Sequence, residues 1–291
     1  MGCAVPRSTS TRCSATTTGP RTPMRVDVFR RELADHRRSL IGCTAGAVLL
    51  GAMYIFFYPT IRSSGAGVEQ LLDAMPKGFR DAFIGAGVDY LSPAGYLGTE
   101  LFSIIVPALL LVMGVLAGGR ALAGEEQNGT IDLLLSTPIR RSRLALEKAG
   151  GALLPLFVVG AAVWVMIAVV GPSQGLSVSL GRLAVAMLAV ALLGAGFGML
   201  AFLVASATGS AGVGGGIAAA LAVAMYALNI IGSLVPGLTG FANAVSPFHW
   251  DGGSGALANG VPWAGLLLLI VCPIVLLGLS ILAYERRDLT A

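Results

Sequence analysis

The sequence predicts an all-α membrane protein with six transmembrane helices and both termini in the cytoplasm. Three observations predict this fold: the composition is strongly apolar, six long stretches carry no charged residue, and the basic residues lie mostly on one side. Of the 291 residues, 55% are hydrophobic and 12% are charged, and the mean hydropathy is +0.82. A soluble domain carries about 25% charged residues, so we expect lipid to surround most of this chain.

Six apolar stretches are long enough to cross a bilayer, whose core of about 30 Å needs about 20 apolar residues in a helix. None of them contains Asp, Glu, Lys or Arg. A β-barrel would instead show segments of about 10 residues with alternating polarity, whereas these stretches are continuous. The predicted spans are Leu40–Tyr58, Leu101–Gly118, Ala152–Gly171, Leu183–Val204, Ala211–Val235 and Ala264–Tyr284.

The distribution of basic residues predicts the orientation, because cytoplasmic segments of membrane proteins carry an excess of Lys and Arg. With the N-terminus inside, 15 of the 19 basic residues fall in cytoplasmic segments. The four on the outer side are Arg62, Lys77, Arg80 and Arg182. This asymmetry accounts for the net charge of +4 without a nucleic-acid partner.

Two N-terminal regions precede the transmembrane domain, which we predict over residues 40–284, with a cytoplasmic tail over 285–291. Residues 1–23 are rich in Ser, Thr, Arg and Pro and lack acidic residues. This composition predicts a disordered tail and is similar to a transit peptide; alternatively, translation begins at Met24. Residues 24–39 are basic and amphipathic, which predicts a helix at the cytoplasmic membrane surface.

The outer segment between the first two spans contains an amphipathic pattern in which Val68, Leu71, Leu72, Met75 and Phe79 share one helical face. Pro76 is expected to interrupt this helix. A helix lying on the outer face would either shape an exit for cargo or simply cap the bundle.

Small residues predict where helices pack closely, since lipid provides no hydrophobic force between them and close backbone approach matters more. Gly194 and Gly198 in the fourth span, and Gly212 and Gly216 in the fifth, have GxxxG spacing. The link Ala205–Ser210 is very short, so we expect these two spans to form a tight hairpin.

The longest cytoplasmic loop joins the second and third spans and contains a short predicted helix. Asn128-Gly129 is a turn signal, Thr130 can cap the helix that follows, and Pro138 ends it. Ile131, Leu134 and Leu135 share its apolar face. Such a helix either docks into a groove on a partner protein or rests on the bilayer.

The stretch Gly124–Leu144 resembles the signature of type-two ABC exporter permeases, where it also lies between the second and third of six spans. The resemblance extends over about residues 25–287, but only Gly124–Lys148 is specific. It implies that this stretch is a coupling helix inserting into a nucleotide-binding subunit. The implied contact and shaping positions are Glu125, Glu126, Gly129, Thr130, Leu134, Leu135, Pro138 and Arg141.

The resemblance also implies which partners the chain needs. The sequence contains no GxxxxGK[ST] phosphate-binding loop, so ATP and Mg would be bound by a separate ATPase subunit. The implied assembly has two permeases, identical or related, and two ATPases. The cargo would be an amphipathic compound such as a drug, an antibiotic or a lipid, moved outward across a cell membrane, and we expect this to be a bacterial inner membrane.

Two other function classes fit the sequence less well. A secondary transporter typically has ion sites at the centre of the membrane, yet the predicted spans contain no carboxylate. An intramembrane enzyme needs catalytic groups there, and both histidines, His36 and His249, lie outside the spans. We therefore predict no catalytic residue and no metal site. Outer polar residues that could contact cargo are His249, Trp250 and Asp251, although Trp250 equally suits a membrane anchor.

Overall fold

The computed structural model describes residues 27–85, 87–124, 141–235 and 237–286, and every regular element in these ranges is helical. Six helices are long and apolar enough to cross a membrane, as the sequence predicts. These six spans, numbered here in chain order, are Leu40–Ser63, Pro93–Ala121, Ser142–Gln174, Leu180–Thr208, Ala211–Leu234 and Trp263–Tyr284.

The helices of the spans extend beyond the apolar stretches at several ends. The first helix is continuous from Asp27 to Ser63, the third runs over Arg141–Val170 and the sixth over Trp263–Arg286. Whether residues 24–39 lie on a membrane surface stays a prediction. The N-terminal residues 1–26 and the C-terminal residues 287–291 lie outside the described residues.

The second span starts earlier than predicted, at Pro93 rather than Leu101. The helix begins where Ser92 accepts a hydrogen bond from the amide of Gly95 at 3.0 Å and Pro93 occupies the first turn. Hydropathy cannot detect this start, because Glu100 interrupts the apolar stretch. Glu100 therefore lies within the helix, where it accepts a 2.7 Å hydrogen bond from the hydroxyl of Tyr90.

A π-helical stretch, Gly98–Ile105, joins the short helix Pro93–Leu97 to the main helix of the second span, Val106–Ala121. At its end the amide of Val106 donates to the carbonyl of Leu101, five residues back. Pro107, which has no amide proton, follows directly. The π-helical stretch turns Phe102 and Ser103 towards a cavity described below.

The fourth span is the central helix of the bundle. About two thirds of the residues in its apolar window are buried, against 17% for the first, fifth and sixth spans. It packs against the second, third, fifth and sixth spans. Therefore the first, fifth and sixth spans present most of their surface to lipid or to a partner.

The two ends of the bundle differ in how much chain they carry. The connections 64–92, 175–179 and 235–262 lie together at what we call the long-loop end. Pro76 interrupts the amphipathic pattern there, as predicted: one helix, Gly65–Asp73, ends before it and the next, Lys77–Phe83, follows it. The connection 235–262 contains three further short α-helices among the described residues, Thr239–Val245, Pro247–Trp250 and Ala256–Asn259.

The opposite end carries the loop between the second and third spans and a tight connection between the fourth and fifth. The fourth helix continues to Thr208 and the fifth begins at Ala211, so the connection is two residues long, shorter than predicted. Gly209 adopts a left-handed conformation (φ +70°), which suits glycine at a helix C-terminus. Ser210 then accepts a hydrogen bond from the amide of Val213.

Candidate functional site

The loop between the second and third spans is mostly outside the described residues. Of the predicted coupling positions, Glu125, Glu126, Gly129, Thr130, Leu134, Leu135 and Pro138 all fall in the undescribed range 125–140. Arg141 is the first residue of the third span's helix, and its side chain is not described. Their role as a coupling site stays a prediction.

Both ends of this loop are anchored on one buried apolar cluster, which we call the loop-anchor cluster. Leu122 lies just before the loop and Leu144 just after it, and each is 4% exposed. The fourth span contributes Phe202 and the sixth contributes Tyr284, both buried. The remaining members are Ala121, Ala145, Ala149, Ala152 and Met199. The described residues on both sides of the loop are therefore packed against the fourth and sixth spans.

The second and fourth spans approach each other closely through glycines in the centre of the bundle. A Cβ atom added at Gly194 would lie 2.8 Å from the carbonyl oxygen of Leu110, and one at Gly198 would lie 2.8 Å from that of Gly114. Added at Gly118, it would overlap the carbonyl of Gly198. Backbone carbonyls cannot move aside as flexible side chains can, so these positions require glycine.

Gly212 and Gly216 occupy a different environment. A Cβ atom at Gly216 would meet nothing within 4 Å, and one at Gly212 would only touch the hydroxyl of Ser210. Gly214 makes the close contact with the fourth span instead. A Cβ atom added at this position would lie 2.6 Å from the carbonyl oxygen of Ala201. Gly212 and Gly216 line an open groove between the second and fifth spans, which also includes Arg120.

The long-loop end contains a polar cavity of about 480 Å³. It lies between the π-helical stretch of the second span, the end of the fifth span and the connection 235–262. Two of the three outer residues proposed as cargo contacts, His249 and Asp251, line it. Trp250 does not: it lines an apolar cleft beside the fourth, fifth and sixth spans and donates from its indole nitrogen to the carbonyl of Asn243.

Burial changes the titration of the two ionisable residues in this connection. Asp251 is 2% exposed, and burial raises the pKa of its carboxyl group to about 7, although a hydrogen bond from the Gly253 amide opposes the shift. Burial also lowers the pKa of the His249 imidazole, so that it is neutral at neutral pH. The cavity wall therefore carries a carboxylate that titrates near pH 7.

The family comparison decides what kind of protein this is. A family model described as "ABC-2 family transporter protein" matches residues 26–289, which is nearly the whole chain. The chain belongs to the ABC-2 transporter family. A comparison with curated proteins gives no match. The family assignment confirms the resemblance found in Gly124–Leu144 and, with the six spans, makes the chain a multi-pass membrane protein of an ABC transporter.

Sequence reasoning did not find two features of this ABC-2 protein. Gly114 and Gly118 also have GxxxG spacing, and this signal could have identified them as partners of Gly194 and Gly198. The cavity has no comparable sequence signal, because its lining comes from segments more than 100 residues apart, such as Phe102 and Tyr226.

Proposed function

We propose that this chain is the membrane-spanning permease subunit of an ATP-driven exporter of amphipathic compounds. The observation that carries the proposal is the family match over residues 26–289 together with six spans. A separate ABC ATPase subunit would bind ATP and Mg and dock onto the loop 125–140. The chain itself would have no catalytic residue and would form the path for the cargo.

The anchoring of the loop supports a mechanical role for it. The described residues on both sides of the loop pack in the loop-anchor cluster, so a force transmitted through the loop would act on the second and third spans together. The second span is in turn packed on the fourth through the Gly114–Gly198 contact. These two spans would therefore move as one body when the ATPase changes conformation.

The exposed spans support assembly with a second permease. The first, fifth and sixth spans are only 17% buried within the chain. The fifth carries Gly212 and Gly216, where an added Cβ atom would meet no neighbouring helix, beside the groove that it shares with the second span. We propose an assembly of two permeases, identical or related, and two ATPases in a cell membrane, with the loop 125–140 on the cytoplasmic face.

The direct test of this proposal is the composition of the complex in its native membrane. An affinity-tagged chain extracted in a mild detergent is expected to co-purify a protein with a phosphate-binding loop, at one ATPase per permease by quantitative mass spectrometry. The control is an unrelated six-span protein carrying the same tag. Recovery of the intact chain without any ATPase would refute the proposal.

A further inference from the structure

The polar cavity at the long-loop end has walls that favour positive charge. The described residues that line it include two carboxylates, Asp81 and Asp251, but neither Lys nor Arg. His249 also lines the cavity. Burial lowers the pKa of its imidazole, so the ring is uncharged at neutral pH. An anion would gain no cationic partner in this cavity, whereas a cation would gain a carboxylate.

Asp251 is the buried one of these two carboxylates, and only one of its two oxygens accepts a hydrogen bond from a described residue. Its Oδ1 atom accepts a 2.8 Å hydrogen bond from the amide of Gly253. No described residue donates a hydrogen bond to Oδ2, although the residue is 98% buried. Asp251 lines the cavity, so a cation bound there can offset its negative charge by electrostatic attraction, without donating a hydrogen bond.

The backbone around Asp251 holds the carboxylate in place. Gly252 and Gly253 both have positive φ angles, +83° and +50°, which side-chain-bearing residues rarely adopt. This turn directs the Gly253 amide back onto Oδ1. The carboxylate is therefore fixed before any ligand arrives, which lowers the entropic cost of binding.

Aromatic side chains contribute to the apolar part of the wall, beside Ile230 and Pro262. Phe102, Tyr226 and Phe248 all line the cavity. Tyr226 and Phe248 are packed edge to face, with ring centroids 5.2 Å apart. Aromatic faces attract organic cations, especially quaternary ammonium groups, through the negative potential of the ring face. Carboxylate and aromatic groups thus surround one space.

We propose that this cavity binds an organic ammonium ion, with the cationic group between the Asp251 carboxylate and the aromatic rings of Phe102, Tyr226 and Phe248. The cation would be either a free solute or the choline headgroup of a lipid. Binding as such is independent of the ATPase. Only the further statement that such cations are cargo rests on the proposed exporter function.

The proposal is tested by equilibrium binding of radiolabelled benzyltrimethylammonium to the purified chain in maltoside micelles, with no ATPase present. We expect saturable binding that Asp251→Asn weakens about tenfold or more, because this substitution removes the negative charge that attracts the cation. Asp251→Glu should retain most of the affinity. Glu69→Gln, which removes an exposed carboxylate outside the cavity, is the matched control and should change the affinity less than twofold.

The pH dependence gives a second readout, because the charge of this probe does not change with pH. The titratable groups facing the cavity are Asp81, Tyr226, His249 and Asp251. Asp251 ionises as the pH rises through about 7, so affinity should rise about tenfold from pH 6 to pH 8. His249→Gln should keep this dependence and Asp251→Asn should remove it. Tyr226→Leu should weaken binding about threefold to tenfold.

Short-chain phosphatidylcholine added as a competitor distinguishes the two sources of the cation. Displacement of the probe assigns the site to a lipid headgroup, and no displacement assigns it to a free cation. Absence of saturable binding, or an Asp251→Asn variant that elutes and melts like the wild type and binds equally well, would overturn the proposal. Because the assay contains no ATPase, a failed exporter function would leave binding unchanged, and a failed binding site would leave ATPase association unchanged.

Discussion

Replacing Leu134 and Leu135 together by Asp is expected to abolish association with the ATPase while leaving the permease in the membrane. The sequence predicts that both side chains lie on the apolar face of the coupling helix. Burial of one Leu contributes roughly 1.5–3 kcal/mol, so the loss of two corresponds to about two to four orders of magnitude in affinity. Co-purification of the ATPase with the tagged double variant measures the effect.

The matched control is Leu133→Asp, which introduces a carboxylate in the same predicted helix but off the apolar face. It should retain the ATPase. Quantitative immunoblotting of membranes should show wild-type amounts of both variants, because all three positions lie outside the six spans. A double variant that still binds ATPase and still exports would mean that the loop only rests on the bilayer.

Gly118→Ala is expected to destabilise the bundle by forcing the second and fourth spans apart. The new Cβ would overlap the backbone carbonyl of Gly198, so the second and fourth spans would have to separate. Overpacking of a close contact costs roughly 1–3 kcal/mol, and here the opposing atom is backbone. Thermal unfolding of the purified chain in detergent, followed by intrinsic fluorescence or aggregation, should show a lower midpoint.

Gly196→Ala provides the control on the fourth span. Its added Cβ would meet nothing within 4 Å, and Ala favours helix over Gly by up to about 1 kcal/mol. This variant should therefore unfold at the wild-type temperature or slightly above it. Equal unfolding temperatures for Gly118→Ala and Gly196→Ala would show that the close contact between the second and fourth spans does not stabilise the fold.

The number and approximate positions of the spans follow from hydropathy. A long apolar stretch is stable in a bilayer, and there only a helix can satisfy its backbone hydrogen bonds within the stretch itself. The ends of the spans do not follow from it. The second span begins at a serine cap and a proline eight residues before the predicted start, and Glu100 between them hides the helix from any hydropathy argument. Capping and local hydrogen bonds decide these ends.

The features of the candidate site also divide into those that a local sequence pattern indicates and those that only the folded structure reveals. Local signals identify Gly194 and Gly198 as small positions on one helix face, but the partner helix is chosen by the packing of the whole bundle. Likewise, Asp251 is recognisable as an outer polar residue, whereas its burial depends on how the connection 235–262 folds back onto the second span. Such contacts between distant segments are not encoded in any local pattern.

The most direct test of the central claim is ATP hydrolysis in liposomes containing the chain alone, the ATPase alone, or both. We predict no hydrolysis by the chain alone, because its sequence has no phosphate-binding loop. The complex should hydrolyse ATP in a vanadate-sensitive manner at a rate different from that of the ATPase alone, and the Leu134→Asp, Leu135→Asp variant should return that rate to the ATPase-alone value. Hydrolysis by the purified chain alone, or an ATPase rate unchanged by the wild-type chain, would contradict the claim that this protein is an ATP-coupled permease.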